Sequence, residues 1–409
     1  MNLPALFARR YLVSKKSTQA INILSMISML GMMVGSLGLI LVLSVFNGFE
    51  GLVVNLYDKF YSEILITPVK GKFFDERSVH FDEIKKIEGI KAACFQLEEK
   101  ALLRYGDNQF IATVRGVDSN FTKVNKVSQS MFHGQFMLES GAYPYAIVGA
   151  GIEQSLGINY DDPFGQLSIY IPKTGISYVL NPEEAFNHQI IRPQGSYSIQ
   201  QEFDMEYVFV PIEFMQTLLQ KPTQLSSISI SILPGANEDE VIEALQNVCG
   251  KNFEVLNRYE QNKTLYAIMK TEKWAVYAIL TFILIVAAFN IIGSLSMLII
   301  DKKKDISILR IMGANESVIK RIFLFDGILL SLVGCFAGFM LSIILILLQQ
   351  RFGLIEIGGG TFVVSAYPVK MEVSDFILVF VTVMGIGIIA SSVPMIRNKK
   401  ISSITTYTE

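Results

Sequence analysis

Cysteine, histidine and charged residues are all scarce in this chain of 409 residues. Three cysteines are too few to build a disulfide framework in a chain of this length. Asp, Glu, Lys and Arg make up only 18% of the residues, against about 25% in soluble proteins, and the net charge of −2 gives no overall attraction to nucleic acid. A mean hydropathy of +0.41 excludes an intrinsically disordered chain.

Charge is absent altogether from four stretches, residues 17–49, 274–300, 327–350 and 376–396. As a helix, even the shortest stretch reaches about 31 Å, which is close to the thickness of the hydrocarbon core of a bilayer. The first stretch is too long for a signal peptide and lacks a small-residue cleavage site. The sequence therefore predicts four transmembrane helices.

Basic residues indicate which face of the membrane each connection occupies. They precede the first stretch (residues 9–16), recur between the second and third (302–321) and follow the fourth (397–400). Because Lys and Arg near the ends of spans stay on the cytoplasmic side, both termini are predicted to be cytoplasmic. Residues 50–273 are then predicted to lie on the opposite side of the membrane.

Residues 50–273 have the turn signals and alternating patterns of a folded α+β domain inserted between the first two spans. Strands are predicted at 63–69 and 226–233, and the stretch 258–273 is predicted to continue into the second span as a helical stalk. The predicted fold is an α-helical membrane protein with four transmembrane helices plus an extracytoplasmic α+β domain. Its predicted parts are residues 1–49 (N-terminal segment and first span), 50–273 (outside domain with stalk) and 274–409 (the other three spans and their connections).

The sequence contains no motif that carries chemistry. A phosphate-binding loop, a dinucleotide-binding glycine motif and a nucleophile elbow are all missing from it. His80, His133 and His188 are too far apart for a metal-ligand pattern. Cys94 and Cys249 both lie in the outside domain, and the sequence leaves open whether they pair. We therefore predict no catalytic residue, no metal and no cofactor bound by this chain.

Glycines four residues apart occur in the first and third spans, as Gly31 with Gly35 and Gly334 with Gly338. Such spacing allows two helices to approach closely. The sequence leaves open whether these faces pack within the chain or against a second permease.

The connection 301–326 between the second and third spans places an apolar stripe within a basic segment. A helix is predicted over 302–313, ended by Gly313, with Asn315 capping the helix that follows. A basic loop would satisfy the topology, but a capped apolar stripe favours a helix that docks on a cytoplasmic partner, with Ile306 and Leu309 in its groove. The residues predicted to make this contact are Asp305, Ile306, Leu309, Arg310, Gly313 and Ala314.

Long segments resemble one permease family. Residues 272–330, from "EKWAVYAILTF" to "LFDGILL", are similar to the second span, coupling helix and third span of the LolC/LolE lipoprotein-releasing permeases, within the broader FtsX/MacB-type ABC permease family. Residues 7–16 ("FARRYLVSKK"), 23–50 (ending "NGFE") and 362–376 ("FVVSAYPVKMEVSDF") resemble that family too. The resemblance implies a MacB-core-like outside domain and a location in the bacterial inner membrane, with the large domain in the periplasm.

The resemblance also implies partners and sites. A separate LolD-like ATPase dimer would use ATP and Mg, a second permease copy or paralogue would complete the transporter, and a LolA-like periplasmic chaperone would receive the lipoproteins. The implied lining of a cavity for acyl chains is Phe46, Phe49, Phe282, Ile285 and Phe289. The implied chaperone-binding hairpin contains Pro172, Lys173, Gly175, Tyr178 and Pro182.

Several alternatives stay open in the sequence. A MacB-like permease would transmit motion to an external partner or export a small substrate, although MacB itself carries a fused ATPase. An FtsX-like permease would regulate cell-wall hydrolases. A sensor receptor would need a cytoplasmic output module, which the short connection 301–326 does not provide. A LolC-like or LolE-like role, a homodimer or heterodimer, and the selectivity for lipoproteins are all undecided.

Overall fold

A computed structural model describes residues 19–141, 143–173, 185–356 and 366–397. The helices are α1 (Gln19–Phe60), α2 (Phe81–Ile84), α3 (Phe121–Val124), α4 (Ala150–Leu156), α5 (Gln201–Asp204), α6 (Ile212–Leu219), α7 (Glu238–Cys249), α8 (Arg258–Gln261), α9 (Lys263–Asp301), α10 (Lys303–Ile311), α11 (Glu316–Phe352) and α12 (Val373–Arg397). The strands are β1 (Ile64–Pro68), β2 (Phe74–Asp75), β3 (Ile90–Tyr105), β4 (Asn108–Val117), β5 (Met131–His133), β6 (Glu139–Ser140), β7 (Tyr143–Gly149), β8 (Leu167–Pro172), β9 (Phe186–Tyr197), β10 (Tyr207–Pro211), β11 (Gln224–Leu225), β12 (Ser227–Ile232) and β13 (Phe253–Asn257).

The described residues form two units. A membrane unit holds the residues up to 52 together with 267–356 and 366–397, and a sheet unit holds residues 53–266. Helices α1 and α9 each contribute residues to both units. The predicted domain boundaries at 49/50 and 273/274 stay predictions.

Four helices, α1, α9, α11 and α12, are long and apolar enough to cross a membrane, which confirms the four predicted spans. Each extends past its charge-free stretch, and the 39 residues of α9 correspond to about 58 Å of helix, nearly twice the hydrocarbon thickness. The predicted stalk is helical from Lys263 onward. Residues 258–261 form the separate turn α8, because Asn257 and Glu260 make a capping box there.

Small residues bring the membrane helices together within the chain. A Cβ placed on Gly334 would lie 2.8 Å from the carbonyl oxygen of Met29, and one on Gly338 would lie 2.6 Å from that of Met33. Real Cβ atoms do not approach so closely, so α11 packs directly on the backbone of α1. The glycine pair in the third span therefore serves packing inside this chain.

The sheet unit is built on a long mixed sheet. Its strands follow the order β13-β1-β12-β3-β4-β10-β7-β9-β5, and β8 pairs with both β3 and β9. The ring β3-β4-β10-β7-β9-β8 is thereby closed into a six-stranded barrel, in which β4/β10 and β7/β9 are the parallel pairs. The interior is filled by inward-facing apolar side chains that are almost completely buried, including Leu103, Val114, Val148, Ile169, Ile191 and Val208.

The strands predicted at 63–69 and 226–233 are present as β1 and β12, which pair antiparallel. Alternation decides which residues of β12 enter the core, because Ile228 and Ile230 point into it while the serines that alternate with them face the other way. Cys94 and Cys249 are both free thiols. Burial raises the pKa of Cys94 well above its usual range and that of Cys249 to about 11.

Candidate functional site

Helix α10 is short, and specific hydrogen bonds define both its C-terminal end and the start of the next helix, α11. The Gly313 N–H donates to the carbonyl of Arg310 (3.0 Å) and the Ala314 N–H to that of Leu309 (2.9 Å), which is a Schellman motif. Gly313 has φ +90°, a conformation that glycine adopts without strain. The Asn315 side chain then caps α11 by accepting from the Val318 N–H. The predicted helix and caps are present.

The apolar side chains of α10 divide between two faces. Ile306 packs against the core of the membrane unit, and Leu309 is half-buried. Ile308, Ile311 and Met312 are 56%, 86% and 76% exposed. The sequence prediction placed Ile306 and Leu309 in a partner's groove, and that contact stays a prediction. The face open to a partner carries the other three residues.

Charged side chains around α10 pair within the connection itself. Lys302 Nζ lies 3.6 Å from Asp305 Oδ2, and Glu316 lies 3.8 Å from both Arg310 and Lys320. Exposed pairs at these distances contribute little to stability. Asp305 and Arg310 thus place charged side chains next to the apolar face, and we call them its charged rim.

Helix α9 exposes a stripe of large apolar side chains. Phe282, Ile285 and Phe289 are 66%, 41% and 63% exposed, and their spacing of three and four residues places them on one side of the helix. On α1, Phe49 is 38% exposed and Phe46 is half-buried. Such a surface suits lipid, another membrane subunit or an apolar substrate.

Two residues of the predicted hairpin, Pro172 and Lys173, lie among the described residues. Pro172 of β8 is opposite Phe186 of β9, and the Lys173 N–H donates to the carbonyl of Ala185 (2.8 Å). Gly175, Tyr178 and Pro182 lie outside the described residues.

A groove of about 400 Å³ that the sequence does not predict lies at the other end of the β8–β9 pair, around Ile191, which is opposite Leu167. Tyr143, which lines this groove, is 73% exposed, and Phe164, between the lining residues Pro163 and Gly165, is 87% exposed. The signal was available as two proline-flanked aromatic clusters, "YPY" at 143–145 and "DDPFG" at 161–165. The groove is lined by Tyr143, Pro144, Tyr145, Pro163, Gly165, Gln166, Ile190, Ile191 and Arg192.

A buried cation was also missed. Arg115 on β4 donates from Nε to Glu98 Oε2 (2.9 Å), and its guanidinium lies 5.1 Å from the ring centre of Phe60 and 4.5 Å from that of Tyr207. Burial acts to lower the pKa of Arg115, but the Glu98 carboxylate outweighs it, so the pKa is raised and the charge is kept. Phe60, Glu98 and Arg115 line part of a cavity of about 220 Å³ within the sheet unit.

Within the described ranges, no three His, Cys, Asp or Glu side chains come together as a possible metal site. His133 Nδ1 instead lies 2.9 Å from Glu153 Oε1 on the surface. The predicted absence of a bound cofactor stays a prediction.

Comparisons with known proteins agree with this architecture. Residues 25–248 match the MacB-like periplasmic core domain family, and residues 277–403 match the FtsX-like permease C-terminal family. The lipoprotein-releasing system transmembrane protein LolE of Haemophilus influenzae is 25% identical over 98% of this chain and 98% of its own. LolC of Neisseria meningitidis is 24% identical over 98% of this chain and 97% of its own.

Among solved structures, the periplasmic region of MacB from Actinobacillus actinomycetemcomitans aligns with a TM-score of 0.37 at 14% identity, over 53% of this chain and 98% of that one. The fold class and the family resemblance inferred from the sequence are confirmed by the family matches and the four apolar helices. Because the first family match spans more than half of its residues, the chain belongs to the family of proteins with a MacB-like periplasmic core domain, here joined to an FtsX-like permease region.

Proposed function

We propose that this chain is the permease subunit of an ABC transporter that extracts lipoproteins from the inner membrane and passes them to a periplasmic chaperone. The observation that carries the proposal is the similarity, along nearly the whole chain, to LolE and LolC of lipoprotein-releasing systems. Four spans and a periplasmic core domain support an inner-membrane protein with a periplasmic domain. Both termini face the cytoplasm by the distribution of Lys and Arg.

A separate LolD-like ATPase dimer, which holds ATP and Mg, supplies the energy. It receives the exposed face of α10, with Ile308, Ile311 and Met312 in an apolar groove and the charged rim around them. The Schellman end of α10 supports this role, since a defined helix transmits displacement better than a flexible loop. The chain itself binds no cofactor and carries no catalytic residue.

The lipid-modified end of the substrate needs an apolar path. Exposing an acyl chain to water costs about 0.8 kcal/mol for each CH₂, so extraction requires continuous apolar contact. The stripe on α9, together with Phe46 and Phe49 of α1, supplies one wall of such a path. A second permease copy or paralogue supplies the opposite wall.

The β8–β9 hairpin holds the chaperone. The pairing of β8 with β9 at Pro172 and Lys173 supports this role, and the predicted contacts include Gly175, Tyr178 and Pro182. The exposed side chains of Tyr143 and Phe164 add further apolar surface on the sheet unit that is available to a LolA-like protein.

A MacB-like function, in which the chain transmits motion to an external partner, is the second candidate because the periplasmic region matches the MacB core domain. Regulation of cell-wall hydrolases is the corresponding candidate for the FtsX-like region. Neither involves acyl chains, so lipoprotein sorting separates both from lipoprotein release.

Depletion of the chain tests the proposal in cells. We expect lipoproteins of the outer membrane to accumulate in the inner-membrane fraction, because their acyl chains do not leave the bilayer unaided. Re-expression of the chain is the control and restores sorting. Normal sorting after depletion contradicts lipoprotein release and favours the second candidate.

A further inference from the structure

A buried polar cluster joins three helices of the membrane unit at the ends remote from α10. Asn47 of α1 is 3% exposed, and its Oδ1 accepts a hydrogen bond from Lys273 Nζ of α9 (2.6 Å). Its Nδ2 donates to Asp375 Oδ2 of α12 (2.5 Å), and Asp375 is 5% exposed. One side-chain amide therefore contacts a cation and an anion on two other helices.

The segment that leads into α12 lies against the same turn of α1. The Lys370 N–H donates to the carbonyl of Ser44 (2.9 Å), and the Lys370 carbonyl accepts from Asn47 Nδ2 (3.5 Å). A Cβ on Gly48 would collide with the Pro368 carbonyl and would lie 2.6 Å from the Val369 nitrogen of this segment. Only glycine at position 48 permits so close an approach.

The chemistry of an amide suits this position. Its oxygen faces the ammonium and its nitrogen faces the carboxylate, so both hydrogen bonds are charge-assisted and stronger than neutral ones. A buried carboxylate that loses its partner is costly. An ionisable group buried among membrane helices is rare and usually has a functional role. If these helix ends only needed to stay together, apolar side chains packed against one another would be sufficient.

We propose that Asn47 is a positioning residue that ties α1, α9 and α12 together at these ends, so that the three helices move as one body during transport. Through Lys273, the tie links the part of α9 just before its charge-free stretch to α1 and α12. The claim about the tie stands on the geometry, and its part in transport rests on the proposed function.

Disulfide trapping tests the tie independently of transport. In full-length chain with its three cysteines replaced by alanine, Ser44→Cys and Lys370→Cys are oxidised in native membranes. Asn47→Leu should slow their cross-linking by about tenfold, the equivalent of one lost charge-assisted hydrogen bond. Asn290→Leu, at an exposed position of α9, is the matched control and should leave the rate unchanged. Equal rates with Asn47 and Asn47→Leu overturn the proposal.

Coupling tests the role in transport. In the purified transporter, Asn47→Leu should lower the ratio of lipoprotein released to ATP hydrolysed by about tenfold, while Asp375→Asn, which keeps a hydrogen-bond acceptor, should retain it. Lys273→Met, at a half-buried position, is the second variant. It should also lower the ratio, and it replaces Asn47→Leu if that variant is not produced in sufficient amount. An unchanged ratio with reduced amounts of folded protein indicates a merely structural tie and overturns the positioning role. Absence of release by the wild-type transporter refutes the proposed function instead, and leaves the cross-linking result valid.

Discussion

At the scale of single residues, the sheet unit depends on one buried charge. Arg115 is held by Glu98 and by the rings of Phe60 and Tyr207. Its neighbour Val114 enters the barrel core, so alternation along β4 places Arg115 on the opposite, normally solvated face. The contacts that cover it come from residues far away in sequence, and this is why a strand pattern alone does not predict a buried cation.

Replacing Arg115 by Met should destabilise the sheet unit by about 2 kcal/mol, since a buried ion pair is broken and the partly exposed Glu98 recovers some hydration. Hydrogen exchange of amides in β3 and β4, measured on the full chain in detergent, reports this change. Arg104→Met, at an exposed position of β3, is the control. Equal protection in both variants would show that the buried pair contributes nothing.

At the scale of elements, close helix packing in the membrane unit depends on Gly338. A methyl group there would collide with the carbonyl of Met33 on α1, and a rigid backbone cannot yield as a side chain can. Gly338→Ala should therefore separate α11 from α1 and lower the melting temperature of the detergent-purified chain. Gly293→Ala, where a Cβ meets no atom within 4 Å, should keep or raise it. Equal melting temperatures would contradict direct packing of α11 on α1.

Helix α10 shows what periodicity can and cannot predict. Its position and caps follow from Gly313 and Asn315, because those residues have local backbone roles. Which apolar face meets a partner does not follow, since both faces of α10 carry isoleucine. Only tertiary packing of Ile306 against the membrane unit separates the inner face from the outer one.

Replacing Ile311 by Asp should weaken binding of the ATPase to the permease, because desolvation of a carboxylate in an apolar groove costs several kcal/mol. ATPase that remains bound to the purified permease, and its stimulated activity, are the measurements. Ile311→Leu keeps apolar volume and should retain both. Ile311 is 86% exposed, so folding should be unaffected. If the Asp variant binds the ATPase as well as the wild type does, the proposed contact between α10 and the ATPase is contradicted.

At the scale of the whole molecule, the four spans were predictable because hydrocarbon excludes charge, and the described residues of the four charge-free stretches lie inside α1, α9, α11 and α12. The inserted domain was predictable because residues 50–273 contain charged residues, turn signals and alternating patterns. Closure of its barrel was not, since β8 pairs with β3 across more than sixty residues of chain, and pairing at such a distance leaves no local pattern.

The central claim is that ATP hydrolysis on a separate subunit drives lipoprotein out of the bilayer through this permease. Proteoliposomes containing the purified transporter and an acylated lipoprotein test it most directly, with the chaperone outside and ATP supplied to the ATPase. We predict that lipoprotein appears in the soluble fraction bound to the chaperone, only with ATP, and that Ile311→Asp abolishes the transfer. Release that proceeds equally without ATP, or no release while ATP is hydrolysed at the full rate, would contradict the claim.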